Sequence, residues 1–243
     1  QKLVLTGLDL HGLTTDPARK PDKDRYQVQG RLSATGVLAG AGFAPAQRRS
    51  WQGQLQGTVR DLVALRGEGQ ARGPDAKKIG FSILGSLVGG GLGRGMQLFS
   101  GDFGLFLDRM EFEPCQVSAT IQQGRAQVAQ GTLTGRGENA GLQMGFVGTV
   151  DLATETFDPK FLVWPAALPP KTRQLMGLEQ LGEQDKQAIL QDFANAKYAV
   201  VLTGPIAEPR TNQAELALSF TRLLSQIDWK SQAAKPQPPA PQP

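Results

Sequence analysis

Apolar residues recur at every second position over long stretches of this chain, and that period constrains the fold more than any other feature. Side chains two apart share one face of an extended strand, whereas a helix needs a period near 3.6. Tyr26, Val28, Gly30, Leu32 and Ala34 fall on one face, with Arg25, Gln27, Gln29, Arg31 and Ser33 on the other. From Trp51 to Ala71 the odd positions carry Trp51, Leu55, Val59, Val63 and Leu65 with glycines and Ala71 among them. Asp61 alone interrupts this series and reads as a turn between two strands. Cys115, Val117, Ala119 and Ile121 alternate with Gln116, Ser118, Thr120 and Gln122. Leu142, Met144, Phe146, Gly148, Val150 and Leu152 alternate with mostly polar partners. Each run has one apolar and one polar face, the pattern of an antiparallel sheet solvated on one side. Turn residues separate the runs at Gln123-Gly124, at 138–141 and at 153–159. The expected fold is therefore mostly β: a twisted antiparallel meander forming a groove or partly closed sandwich, with two or three packed helices.

Three stretches depart from this period. Residues 74–100 are Gly-rich and apolar, and residues 172–197 carry helix formers with Leu175, Leu178, Leu181, Ile189, Leu190 and Phe193. Residues 212–228 place Leu216, Phe220, Leu223 and Ile227 at helical spacing, with Thr211 or Asn212 as the expected N-cap. The organisation read from these boundaries has four parts. They are β-strands over 1–73, an apolar helical segment over 74–100, a β region with two helices over 101–230, and a Pro-rich disordered tail over 231–243. The 243 residues, 40% of them apolar, are enough to build a core, and 30 glycines against 20% charge suit strands and turns. The formal charge of +4 is dispersed, with no Lys/Arg run longer than two. That spread argues against a nucleic-acid partner and leaves a mild attraction to anionic lipid surfaces. The chain opens at Gln1 without a signal-like segment, so it reads as a fragment or processed form.

No catalytic constellation is legible. His11 is the single histidine and lies in a Leu-Asp-Leu-His-Gly segment that reads as a strand end, so a triad or a His-based metal site lacks members. Cys115 sits at an apolar strand position without basic neighbours and reads as a buried structural thiol. Asp102, Asp108, Glu111 and Glu113 cluster in sequence, but Arg109 stands among them and ion pairing accounts for the group. The Gly91-Leu92-Gly93-Arg94-Gly95 run lacks the strand–helix context and the Lys-Ser/Thr ending of nucleotide cradles. The expectation is a protein that is not an enzyme and uses no cofactor.

The segment from Leu105 to Pro165 carries a family likeness. Phe106-Leu107-Asp108-Arg109-Met110 leads into a strand, followed by Thr134-Gly135-Arg136-Gly137 and then Gly148-Thr149-Val150-Asp151-Leu152-Ala153-Thr154. Leu202-Thr203-Gly204-Pro205 closes the series. In order and spacing these resemble the C-terminal region of the AsmA-like family of bacterial envelope lipid-transport proteins. The resemblance implies a periplasmic β-groove, held at the inner membrane through an N-terminal anchor, that binds or conducts phospholipid acyl chains between membranes. The helical stretch 172–197 and the Pro-rich tail depart from the family pattern.

On that reading the lipid-binding face comprises Trp51, Leu55, Val59, Val63, Leu65, Val117, Ile121, Met144, Phe146 and Val150. A Glu at Phe146 or Val150 is then expected to abolish lipid binding without unfolding the sheet. The same alternation equally describes a core closed against the helices. In that case the module is structural and binds envelope protein partners through its helical insertion or tail. A second lipid contact is expected where no charge falls over the fifteen residues Ile79 to Gly93. Ile79, Phe81, Ile83, Leu84, Leu87, Val88 and Leu92, flanked by Lys77, Lys78 and Arg94, suit a membrane interface or a helix buried against the sheet.

Overall fold

The computed structural model describes residues 2–9, 26–42, 44–66, 109–206 and 209–233, with the side chains of 2–9, 26–28, 65–66 and 232 outside that description. The membrane-interface residues Ile79 to Leu92, together with His11, Asp102, Asp108 and tail residues 234–243, lie outside the described residues, while 231–233, read as part of the disordered tail, are helical and end the last helix.

Among the described residues ten strands form one antiparallel sheet. They are β1 (Lys2–Asp9), β2 (Tyr26–Ala39), β3 (Gln52–Arg66), β4 (Arg109–Phe112), β5 (Cys115–Gln122), β6 (Arg125–Arg136), β7 (Gln143–Asp151), β8 (Thr156–Ala167), β9 (Val200–Pro205) and β10 (Arg210–Thr211). Among the described residues three helices accompany them: α1 (Pro170–Leu175), α2 (Glu183–Ala194) and α3 (Gln213–Ala233). Strand order follows chain order, except that β4 and β5 share one position between β3 and β6. Glu113-Pro114 divides them, since proline cannot donate to the ladder. The sheet is mostly β and antiparallel as expected, and it is not a closed barrel.

Asp61 differs from its reading as a turn. β3 runs unbroken through it, and the register with β2 slips there, so that Arg31 faces Arg60 while Gln29 faces Val63. Asp61 stands at φ 52 and forms a β-bulge. One extra residue exchanges the two faces. Val59 is buried, and beyond the bulge it is Leu62 and Ala64 that are buried, at 1% and 0% exposure. Val63 is turned to the opposite face from Val59, which corrects its placement in one apolar row with Trp51 and Leu55. A similar slip in β6, between Val128 and Gly131, keeps Ala126, Val128 and Leu133 on the buried face.

The two ends of the sheet differ. At one end the β2–β3 connection forms a short 3-10 turn over Pro45–Ser50, which lies across the β5–β6 hairpin. Gly124 N–H donates to Trp51 C=O at 3.0 Å, and Leu152 N–H donates to Gly124 C=O at 2.8 Å. Gln123 and Gly124 both have positive φ, at 50° and 73°, as a two-residue hairpin turn requires. A Cβ on Gly124 would stand 2.8 Å from Arg49 Cα, so the crossing also needs glycine for space. The buried Arg48 guanidinium reaches over the hairpin, donating to Leu152 C=O at 3.0 Å and to Glu155 Oε1 at 2.7 Å. Ile206 N–H closes the row on Glu155 C=O at 2.9 Å. At the other end β1 finishes and β2 begins, and β3 finishes and β4 begins.

The helices cover the later strands. α2 packs on β8, and Ile189, Phe193, Leu216, Phe220, Leu223 and Ile227 join the buried cluster that includes Phe146, Phe157 and Phe161. Phe193, Tyr198 and Phe220 form a mutual aromatic group with centroids 4.7–6.0 Å apart. Lys230 near the end of α3 bonds Asp185 near the start of α2, so the two helices run antiparallel. Asn212 stands where the N-cap was expected and its carbonyl accepts Leu216 N–H. Its side-chain amide serves β9, accepting Val201 N–H at 2.8 Å and donating to Ala199 C=O at 3.2 Å.

Candidate functional site

The apolar face of the sheet is the candidate site, and its burial is graded across the strands. Of the residues expected to line a lipid groove, Val59, Ile121, Met144, Phe146 and Val150 are 0–2% exposed. Trp51 is also buried, its indole lying over Gly40 and its Nε1–H donating to Gly42 C=O at 2.7 Å. The Phe146 ring lies on Gly131 of β6 and stacks with Phe161, centroids 6.5 Å apart. These six are packed from all sides by the protein itself. The expectation that a Glu at Phe146 or Val150 would leave the sheet folded is therefore overturned, since burying an unpaired carboxylate costs several kcal/mol.

Leu55 and Val117 behave differently. They are half-buried, as are Leu38 and Ala119 beside them, and all four pack on the rim of the core. Register joins them into one patch: Leu55 faces Gly36 and Ala119, Gly53 faces Leu38 and Ile121, and Gly57 faces Ala34 and Val117. The glycines keep the patch shallow. β1 pairs beside it at the sheet edge, with Leu3 opposite Gly36 and Leu5 opposite Ala34 in register. The apolar face is thus sealed across β6–β9 and also at Leu32, Ala34, Val59, Cys115 and Ile121 on β2, β3 and β5, which leaves a half-open patch at Leu38, Leu55, Val117 and Ala119. Leu38, with the period-two spacing of Gly36 and Leu38, extends the Tyr26–Ala34 series and was legible as a site member. Leu62 and Ala64 were hidden by the bulge.

The opposite face is polar. Thr35, Val37 and Ala39 on β2 with Gln52, Gln54 and Gln56 on β3 line an open depression of about 430 Å³. Gln116, Ser118, Thr120 and Gln122 continue the same face on β5. Charged groups near it are mostly paired. Glu111 lies 2.8 Å from Arg109 Nε and 3.3 Å from Arg136 Nε, and the hydrogen bond from Arg109 holds its carboxyl below the usual range. An acid held ionised between two guanidiniums is poorly suited to proton transfer near neutral pH. Burial pushes the Cys115 thiol up, and its S–H points to Thr132 C=O at 3.3 Å, as befits a structural cysteine. Among the described residues no group of three or more His, Cys, Asp or Glu side chains could hold a metal ion. No described helix is long and apolar enough to cross a membrane.

No family model, curated protein or solved structure matches this chain. The described residues present an apolar patch at the rim of a sealed core, backed by a polar face.

Proposed function

We propose that the chain is a non-catalytic module of a bacterial cell envelope that binds phospholipid acyl chains on the half-open part of its apolar sheet face. The graded burial carries this reading, because Leu38, Leu55, Val117 and Ala119 form continuous apolar surface that the helices leave half-exposed. Each methylene laid on such a surface is stabilised by up to about 0.8 kcal/mol, so a few turns of acyl chain suffice for measurable binding. Support for the compartment and ligand class comes from the order of the Phe106–Met110, Thr134–Gly137 and Gly148–Thr154 motifs, which resembles the AsmA-like pattern. A periplasmic location with attachment to the inner membrane follows from the same resemblance.

The test is native mass spectrometry with lipid extraction of the purified protein, compared with a Leu55→Gln/Val117→Gln variant. Bound phospholipid that falls away in the variant, with the fold intact by circular dichroism, is the expected result. A wild-type protein free of lipid would refute the reading.

A second reading has its own observation. Six of the ten residues expected to line a groove are sealed, while Leu175 (74%), Leu218 (60%) and Trp229 (69%) on α1 and α3 are exposed. An assembly module that meets a protein partner through these helices accounts for that pattern. Leu175→Ser/Trp229→Ser would then abolish co-purification of the partner and leave lipid content unchanged.

A further inference from the structure

The polar face carries an ordered grid of side chains with no charge in it. Val37 on β2, Gln54 on β3 and Thr120 on β5 stand in one row across the sheet, and Thr35, Gln56 and Ser118 stand in the next. Thr58 and Gln116 continue the grid in a third row. All of these are exposed except the half-buried Thr58, and Val37 is 63% exposed. Soluble surfaces carry charge at about 25–35% of positions, so these rows would ordinarily hold about two charged residues. The nearest in register stand at the margins, with Lys2 opposite Val37 and Arg60 two places beyond Thr58.

The amides of the grid are unpaired. On α2 the exposed glutamines bond their neighbours, Gln187 donating to Glu183 at 2.7 Å and Gln191 to Asn195 at 3.1 Å. Among the described residues the side chains of Gln54, Gln56 and Gln116 have no such partner. Each amide presents N–H donors beside a carbonyl acceptor, and a hydroxyl both donates and accepts. Side chains on one face recur about 6.6–6.8 Å apart along a strand and about 4.8 Å apart between strands. Mixed donor–acceptor groups therefore cover the plane every few ångströms in both directions.

This chemistry selects the kind of ligand. Without charge the grid lacks the guanidinium or ammonium groups that hold phosphates and nucleic acids. β3 is paired on both sides, so a peptide cannot add to it as a further strand. What matches is an uncharged molecule that lies along a sheet face and is dense in groups that both donate and accept. A neutral oligosaccharide has those properties. The open depression of about 430 Å³ over Gln54 and Gln56 falls within the range of about 300–1,000 Å³ for small-ligand sites. Val37, Gly36 and Gly53 line it as well, and they supply apolar contact for the C–H face of a sugar ring.

We infer that the polar face of β2, β3 and β5 binds a neutral oligosaccharide, with Gln54 and Gln56 bonding its hydroxyls and Val37 beneath the ring. The site lies on the opposite face from the proposed acyl-chain patch and does not depend on that reading.

Isothermal titration of the whole chain with cellohexaose, N-acetylated chitohexaose and maltohexaose tests this. At least one should bind, and its affinity should hold as sodium chloride rises from about 50 to about 500 mM, since no charge is involved. Gln54→Met and Gln56→Met keep the side-chain length and remove the amide. Each should weaken binding about three- to tenfold, the loss of a neutral hydrogen bond. Neither should move the melting temperature by more than about 2 °C, because the amides serve no partner in the fold. Gln180→Met, at an exposed position in the turn before α2, should bind as wild type does.

The inference is wrong if none of the three sugars binds below about 10 mM, where affinity falls under the weakest specific range. It is equally wrong if the Gln54→Met/Gln56→Met double variant binds as wild type, if Gln180→Met weakens binding as much, or if added salt abolishes it. A dimer in sedimentation velocity that the double variant loses would assign the face to a second copy of the chain and overturn the proposal.

Discussion

Truncating Phe146 distinguishes a sealed core from an open groove by a margin that ordinary denaturation resolves. The residue is 1% exposed, its ring lies on Gly131, and it stacks with Phe161 at an interplanar angle of 11°. Removing a phenyl ring from such a site loses its transfer free energy and leaves a cavity, together costing about 3–5 kcal/mol. The neighbours on both sides are rigid: backbone at Gly131 and another buried ring at Phe161. Collapse into the space is therefore limited, and the cost should lie in the upper half of that range. Leu55 provides the internal control. It is half-buried at the rim, so Leu55→Ala should cost roughly half of a fully buried leucine's 1.5–3 kcal/mol. Urea unfolding followed by tryptophan fluorescence measures both variants against wild type. In a chain of this size each kcal/mol shifts the melting temperature by about 2–4 °C, so Phe146→Ala should melt roughly 10 °C or more below wild type. A loss below about 1.5 kcal/mol at Phe146, or equal losses at Phe146 and Leu55, would show that the face is not sealed at β7.

Three further outcomes follow from the packing and electrostatics. Arg48→Met should cost about 1–3 kcal/mol by urea unfolding, because it strips a partner from the Leu152 carbonyl. Arg48→Lys should recover only part of the loss, since both bonds leave the single Nη1 and the shorter lysine carries its donor nitrogen short of that position. Asp151 is pushed up by burial, but the Thr154 and Ala153 amides outweigh this and hold its carboxyl below its ordinary range. A depressed folded-state value means stability that is present above the unfolded pKa of about 3.9 and lost as pH falls through the lower folded value. Asp151→Asn should flatten that acid limb in melts recorded from pH 5 downward, and an unchanged limb would contradict the assignment. Cys115, buried with a raised pKa, should react with a disulfide reagent at pH 8 only on unfolding. Rapid modification of the native protein would place it at an opening in the core.

The legible part of this fold is the part set by local geometry. Period-two alternation identified β2, β3, β5 and β7, because a strand's side-chain period is fixed whatever it packs on. Gln123-Gly124 announced the β5–β6 hairpin, because two successive positive φ values exclude most other residues. Helical spacing found α2 and α3 for a similar reason. The short strand β4 was not separated from the apolar stretch before it, because four residues contain too little period to read. The filling of the apolar face was equally hidden. Alternation states which residues share a face, while Phe193, Phe220 and their neighbours reach that face from elements remote in sequence. Arg48 shows the same limit, as its partners Leu152 and Glu155 lie more than one hundred residues away.

Asp61 shows how one residue can defeat a correct rule. The alternation on either side of it is genuine, but the bulge inserts one residue, and every side chain beyond changes face. Val63 looked like a continuation of Val59 because both are odd-numbered and apolar, whereas Leu62 and Ala64 take the buried positions. Two substitutions test whether the bulge sets the register. Asp61→Gly keeps the extra residue and relieves the left-handed backbone at φ 52, so stability should change by less than about 1 kcal/mol. Deleting Asp61 removes the extra residue. Either β3 then slips and carries Leu62 and Ala64 out of the core, or the β2–β3 ladder breaks below Arg31. Both routes lose a fully buried leucine and its neighbour, about 3 kcal/mol or more. Amide hydrogen exchange locates the damage: protection should fall at Leu62 to Ala64 and at Met110, which pairs with Ala64, and persist in β7 and β8. If the deletion were as stable as Asp61→Gly, the bulge would be incidental and the burial of Leu62 would need another cause.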